Sequence, residues 1–163
     1  MKKVDLSSLD IDEYIKAIDI KKIEISLKKL KPRSKYKNII DNISNIIKAN
    51  LDDIENKFID YSKYLSKKEK EKVQLIFNYS GYRQKESFMK FYKRLNIKSC
   101  PFCNNNYIYF YKKGAKDYNT LATLEHYYPK AIYPHLSLSF YNLIPCCSIC
   151  NSKFKGNKHH VGK

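Results

Sequence analysis

At 163 residues with 43% hydrophobic side chains, the chain is long enough for one compact domain or two small ones. No run of about 18 uncharged apolar residues occurs, which argues against a membrane-spanning helix. The opening MKKVDLSSLDIDEY has no apolar stretch behind its lysines, so no signal peptide is expected and the chain is expected in the cytoplasm. The formal net charge is +16, with 24 Lys/Arg against 14 Asp/Glu in residues 1–98 and 8 against 2 in residues 99–163.

Such a balance draws a protein to a polyanion, most often nucleic acid. The richness in Ile, Lys, Asn and Tyr also fits an AT-rich genome, which inflates lysine by itself. The scarcity of acid after residue 98 is therefore the sharper signal.

Residues 1–96 read as an α-helical region, suited to partner docking or DNA binding. Ile11, Tyr14, Ile15 and Ile18 recur at helical spacing behind Ser7 and Ser8, which can cap. Pro32 breaks the pattern. Tyr36, Ile39, Ile40, Ile43, Ile46, Ile47, Leu51, Ile54 and Phe58 then fall on one stripe, predicting a long amphipathic helix, or two with a break near Asn50. Ser66 and Glu69 make a capping box that opens a helix through Val73, Ile76 and Phe77, with Gly81 expected to end it. Lys67, Lys68, Lys70 and Lys72 lie in that helix and read as a solvated face. Residues 84–95 predict another helix with Phe88, Phe91 and Leu95 inward.

The texture changes near Ser99, and residues 97–163 read as a second module. Asn104 to Tyr111 and Thr120 to Tyr128 are β-prone and flank a turn with Gly114 and Asp117, predicting a hairpin. Pro129 and Pro134 mark an irregular loop. Leu143 to Cys146 can form a short strand, and a short helix is expected from Ser148 to Gly156. Aromatic residues crowd this part, among them Tyr107, Tyr109, Phe110, Tyr111, Tyr127, Tyr128 and Tyr133. Packing of a small sheet is their default role, and stacking on bases the alternative.

Cys100-Pro-Phe-Cys103 and Cys147-Ser-Ile-Cys150 are two C-x2-C pairs. In a reducing compartment two such pairs point to tetrahedral zinc bound by four thiolates. The gap of 43 residues between them is longer than a simple zinc ribbon needs, so a further motif is expected inside it. Cys146 is left over and reads as a small core residue, with substitution as a ligand, one position out of register, as the alternative. Inside the gap lie Glu125-His126 and Asn142-Leu143-Ile144-Pro145, and Asn151 follows the last cysteine.

The run LEHYYPKAIYPHLSLSFYNLIPCCSICNSKFKGN resembles the HNH (ββα-metal) endonuclease superfamily, in the variety with an acid-His pair, Asn-Leu-x-Pro and C-x2-C followed by His or Asn. The likeness covers roughly residues 98–158. It implies an α+β fold, with the helical region followed by a zinc-bound ββα-metal module, and cleavage of phosphodiester bonds in DNA. It implies that His126 is the general base, that Asn142 holds the loop and orients His126, and that Glu125 and Asn151 bind one catalytic magnesium or manganese ion. The four cysteines would hold structural zinc. Lys153 and Lys155 on the motif helix would meet DNA phosphates.

Two positions depart from the commonest spelling: Glu125 stands where Asp is usual, and Asn151 where His is usual. His159 and His160 read as exposed surface, and His135 as structural. The spelling also resembles, more loosely, nucleases of bacterial antiviral defence systems of the Septu and retron-associated types. That likeness implies an ATPase partner docked on the N-terminal helices. The alternative is a non-catalytic zinc module that binds nucleic acid or protein.

Overall fold

The computed structural model describes residues 10–113, 117–120 and 122–154, with side chains beyond Ser152 and at 110–120 left aside. Eight α-helical segments come first: α1 (Ile11–Lys16), α2 (Ile20–Lys28), α3 (Lys37–Asp41), α4 (Ile43–Lys48), α5 (Leu51–Asp53), α6 (Lys67–Phe77), α7 (Tyr79–Arg83) and α8 (Glu86–Arg94). Four strands follow, β1 (Phe110–Lys113), β2 (Asp117–Thr120), β3 (Ala122–His126) and β4 (Leu143–Cys147), with a π-type turn at Cys150–Phe154. The architecture is α+β, as expected.

The caps explain where helices start. The Asp10 carboxylate accepts from the Asp12 N–H and opens α1, satisfying an amide that has no partner within the helix. Asp10 is thus the cap, while Ser7 and Ser8 lie outside the described residues. The capping box is formed: Ser66 Oγ accepts from Glu69 N–H, and Glu69 accepts from Ser66 N–H at 2.7 Å. Lys35 adds a salt bridge to Glu69. These contacts, led by Lys35 and the Ser66 backbone, hold the Glu69 carboxyl down near 2, well below its usual range.

Two expectations on helix ends are corrected. The long helix over 36–58 is cut into pieces. Asn42 leaves helical geometry at ψ 14°, and Ala49 is extended before the Asn50 side chain caps α5 at Asp53. The break near Asn50 was in the sequence; the one at Asn42 was not. Gly81 does not end α6. Asn78 does so, at a left-handed φ of 46°, and its side-chain oxygen then accepts from Gly81 N–H to start α7. Asn tolerates that region better than other non-glycine residues. Gly81 is needed beneath it, because a Cβ there would lie 2.4 Å from Asn78 Nδ2.

The predicted hairpin of 104–111 with 120–128 is present in a shorter form, and the later part of 120–128 pairs elsewhere. β1 pairs antiparallel with β2, from Phe110↔Thr120 to Lys113↔Asp117. β3 takes a distant partner, β4, with Ala122↔Cys147, Glu125↔Ile144 and His126↔Leu143 in register. Residues 104–106 form bends, and Tyr107 makes a lone bridge to Ser99.

The main core runs from Tyr14 and Ile18 through the isoleucine stripe to Phe77 and Tyr92, and includes Leu124, Leu136, Leu138, Phe140 and Leu143. The helices therefore pack directly on β3, β4 and the loop between them. A smaller core gathers Cys100, Ile108, Ala122, Cys146, Cys147 and Cys150. Among the described residues no helix is long and apolar enough to cross a membrane.

Candidate metal centre and adjoining loop

The sulfurs of Cys100, Cys103, Cys147 and Cys150 lie within 4.8 Å of one another. None is in a disulfide. A tetrahedral zinc with arms of about 2.3 Å requires sulfurs roughly 3.8 Å apart, and Cys103 and Cys147 stand 4.0 Å apart. The four thiols are thus placed to hold a metal ion such as zinc.

The first knuckle is shaped by Asn104 at a left-handed φ of 51°, with its N–H donating to the Cys100 carbonyl. The second is shaped by the Cys150 N–H donating to Cys147 Sγ. Asn106 ties the two together by donating from its amide to the sulfurs of both Cys103 and Cys147.

These donors favour thiolate. The backbone N–H groups of Asn105 and Asn106 pull Cys103 down to about 6. Burial opposes the same trend at Cys147 but is outweighed by the Cys150 N–H and the Asn106 amide. Cys150 is pushed up by burial and by the neighbouring thiols. Four crowded sulfurs cannot all ionise alone, and a divalent cation is what lets them do so together. Cys146 is not one of the four. It faces Thr123 across the strand pair, is fully buried, and burial raises its thiol to about 12.

The loop from Tyr127 to Asn142 joins β3 to β4. Asn142 is completely buried and ties it in three places. Its Oδ1 accepts from Tyr128 N–H at 2.6 Å, and its Nδ2 donates to the carbonyls of Tyr128 and Leu136 at 3.2 and 2.9 Å. Asn142→Ala leaves these buried groups without partners, each costing roughly 1 kcal/mol or more. We expect about 2–4 kcal/mol less stability in urea unfolding. A loss under 1 kcal/mol would contradict the assigned tie.

His126, at the end of β3, is buried with Nε2 at 3.1 Å from the Ser137 carbonyl. A carbonyl only accepts, so Nε2 carries the hydrogen and the neutral ring holds its lone pair on Nδ1. The Tyr79 ring meets the imidazole edge-on at 4.5 Å, and Tyr79 OH donates to the Leu124 carbonyl. Strand pleating sends Glu125 to the other face, with Thr123, Ile144 and Cys146. Glu125 is itself buried, at 8% exposure.

Asn151 is half-buried in the turn that follows Cys150, and this turn packs on β3 and β4. The fold thus places Glu125 and His126 on opposite faces of β3, Asn142 at the entry to β4 and Asn151 in the turn after it. Lys153 lies in that turn with its side chain outside the described atoms, and Lys155, His159 and His160 lie outside the described residues.

The helices hold this loop by its carbonyls. Tyr14 OH donates to Leu138 O at 2.9 Å, and Ser62 Oγ to Ile132 O. Tyr128 returns a bond from its hydroxyl to Glu55. His135 donates from Nε2 to Phe58 O at 2.9 Å and is fully buried. Desolvation lowers its pKa to about 4 from 6.5.

The folded state then binds fewer protons at His135 than the unfolded chain between those values. Stability should be full above about pH 6.5 and fall toward pH 4 at up to about 1.4 kcal/mol per pH unit. Melting temperature against pH checks this, and an acid limb unchanged in His135→Gln would refute the assignment.

Tyr79, Ser137, Asn106 and Tyr14 carry no motif. Their roles come from contacts between distant segments, so spacing along the chain could not find them.

No family model, no curated protein and no solved structure matches this chain.

Proposed function

We propose that the chain is a metal-dependent endonuclease of the HNH type that hydrolyses phosphodiester bonds in DNA. The observation that carries this reading is the buried His126 at the end of β3, with its Nε2 on the Ser137 carbonyl of the loop that Asn142 fastens. A binding module has no need of a buried imidazole held by a backbone carbonyl in this way.

In the proposed reaction, water attacks phosphorus in line with the leaving oxygen, and His126 Nδ1 takes its proton. Nε2–H keeps its bond to Ser137, so the imidazolium that forms remains oriented. Glu125 and Asn151 offer the hard oxygen donors that magnesium or manganese prefers, and such an ion would stabilise the charge on phosphate and leaving group. The cysteine centre sits apart from this chemistry. Its part is to anchor the turn that bears Asn151, since Cys150 adjoins it in the chain. Lys153 and Lys155 would meet phosphates. The structural zinc, the catalytic ion and DNA itself as partner all belong to this reading.

Supercoiled plasmid incubated with the full chain and magnesium or manganese should become nicked or linear. Plasmid that stays supercoiled under both ions would sink the reading.

The looser likeness to antiviral defence nucleases adds an ATPase partner seated on the helical region. Co-purification from the native host tests that addition, and full-rate cleavage by the isolated chain would count against it.

A further inference from the structure

We propose that Tyr107 and Tyr109 form a stacking step for the bases of a single-stranded nucleic acid. The proposal rests on the nuclease reading for its biological sense and adds to the proposed cutting site a binding surface for unpaired bases.

The segment runs extended beside the first cysteine knuckle. Tyr107 bridges to Ser99, and Ile108 N–H donates to the Lys98 carbonyl at 2.9 Å. Alternation along such a segment puts every second side chain on the same side. Ile108 points inward and is 1% exposed in the small cysteine core. Tyr107 and Tyr109 point outward, at 69% and 46% exposure. Their rings lie nearly parallel, 18° apart, with centroids 5.8 Å from each other. The metal centre thus anchors the inner face of the segment while the outer face displays two aligned aromatic rings.

Other described tyrosines of this half behave differently. Tyr128 is buried, and Tyr127 and Tyr133 pack against the main core. Among the described residues of this half, Tyr107 and Tyr109 are the tyrosines with the most exposed rings.

The charge around the pair selects the occupant. No carboxylate occurs between Glu86 and Asp117, a stretch that holds seven Lys or Arg residues, with Lys98 bonded through its carbonyl to Ile108 between the two rings and Lys112 and Lys113 following in the sequence. Exposed rings in an acid-free, lysine-flanked stretch suit a polyanion that also offers flat apolar faces. Nucleic acid has both. In a duplex those faces are covered by neighbouring base pairs, so only unpaired bases can use the rings.

The test uses the full chain carrying His126→Ala, so that the probe survives, and a fluorescent oligothymidylate about 15 nucleotides long. Polarisation is read over a series of salt concentrations. We expect Tyr107→Ala with Tyr109→Ala to weaken binding about ten-fold or more. The salt slope should stay unchanged because no phosphate contact is removed. The corresponding double Phe variant should bind like the parent, and a duplex of the same length should bind all variants equally.

Unchanged affinity in the Ala variant, a reduced salt slope, or equal loss in the Phe variant would overturn the proposal. If the double Ala variant loses metal from the cysteine centre, Tyr107→Ala alone carries the test, since Tyr107 is the more exposed ring. Plasmid cleavage combined with tyrosine-independent oligonucleotide binding rejects the stacking step and leaves the nuclease standing. Tyrosine-dependent binding in a chain that cuts no plasmid supports the step and removes the nuclease reading.

Discussion

Cys147→Ser should abolish metal binding by the four-cysteine cluster and unfold the small core around it while the helical core persists. A serine hydroxyl is a neutral, hard donor near neutral pH, whereas the centre is built from thiolates that receive N–H donors. Structural zinc of this kind contributes roughly 10–16 kcal/mol of binding free energy in small domains, and that energy is available for folding. A native domain is stable by only about 5–15 kcal/mol in total. Losing one of four ligands is therefore expected to exceed what Ile108, Ala122 and Cys146 can hold together by packing.

The main core has its own set of buried side chains, from Tyr14 to Tyr92, none of which is a cysteine. Helical circular dichroism should thus survive, while metal content falls well below one per chain and protease cuts appear between residues 97 and 109. Full metal content in the variant would contradict the four-cysteine assignment. Cys146→Ser should retain the metal, because Cys146 stands outside the four.

His126→Ala should leave the fold in place and remove cleavage. Among the described contacts the ring bonds to the Ser137 carbonyl and meets the Tyr79 ring edge-on, while the main core is built from other side chains. The larger effect of truncation is on the proposed chemistry. General-base catalysis by a positioned histidine contributes typically about 100- to 10,000-fold, and the single-turnover rate should fall by that factor. Tyr79→Phe separates the two roles. It removes the bond to the Leu124 carbonyl but keeps the ring beside His126, so it should lower stability more than rate.

The parts of this structure that the sequence made legible are local. The Ser66–Glu69 box, the break at Asn50 and the spacing of both cysteine pairs are each decided within a few residues, and each is formed as expected. The parts that were not legible depend on distance. Thr120–Tyr128 looked ready to pair with the strand just before it, because a Gly-containing turn lies between them. β3 instead pairs with β4, and the loop that allows this is fastened by Asn142 to Tyr128 and Leu136.

Asn78 and Gly81 show a subtler failure. The usual residue to stop a helix is glycine, yet here Asn takes the left-handed position and glycine merely makes room below it. In the candidate site the motif residues were visible, but the carbonyl of Ser137 and the ring of Tyr79, which both touch His126, were not. Backbone carbonyls have no sequence signature, and Tyr79 reaches the site only because the helices share a core with β3.

The most direct measurement is cleavage of supercoiled plasmid by the parent and by His126→Ala, both with full metal at the cysteine centre and both supplied with magnesium or manganese. The account predicts nicked or linear product from the parent and a rate at least about 100-fold lower from the variant. No product from the parent, or equal rates from the two proteins, would contradict it.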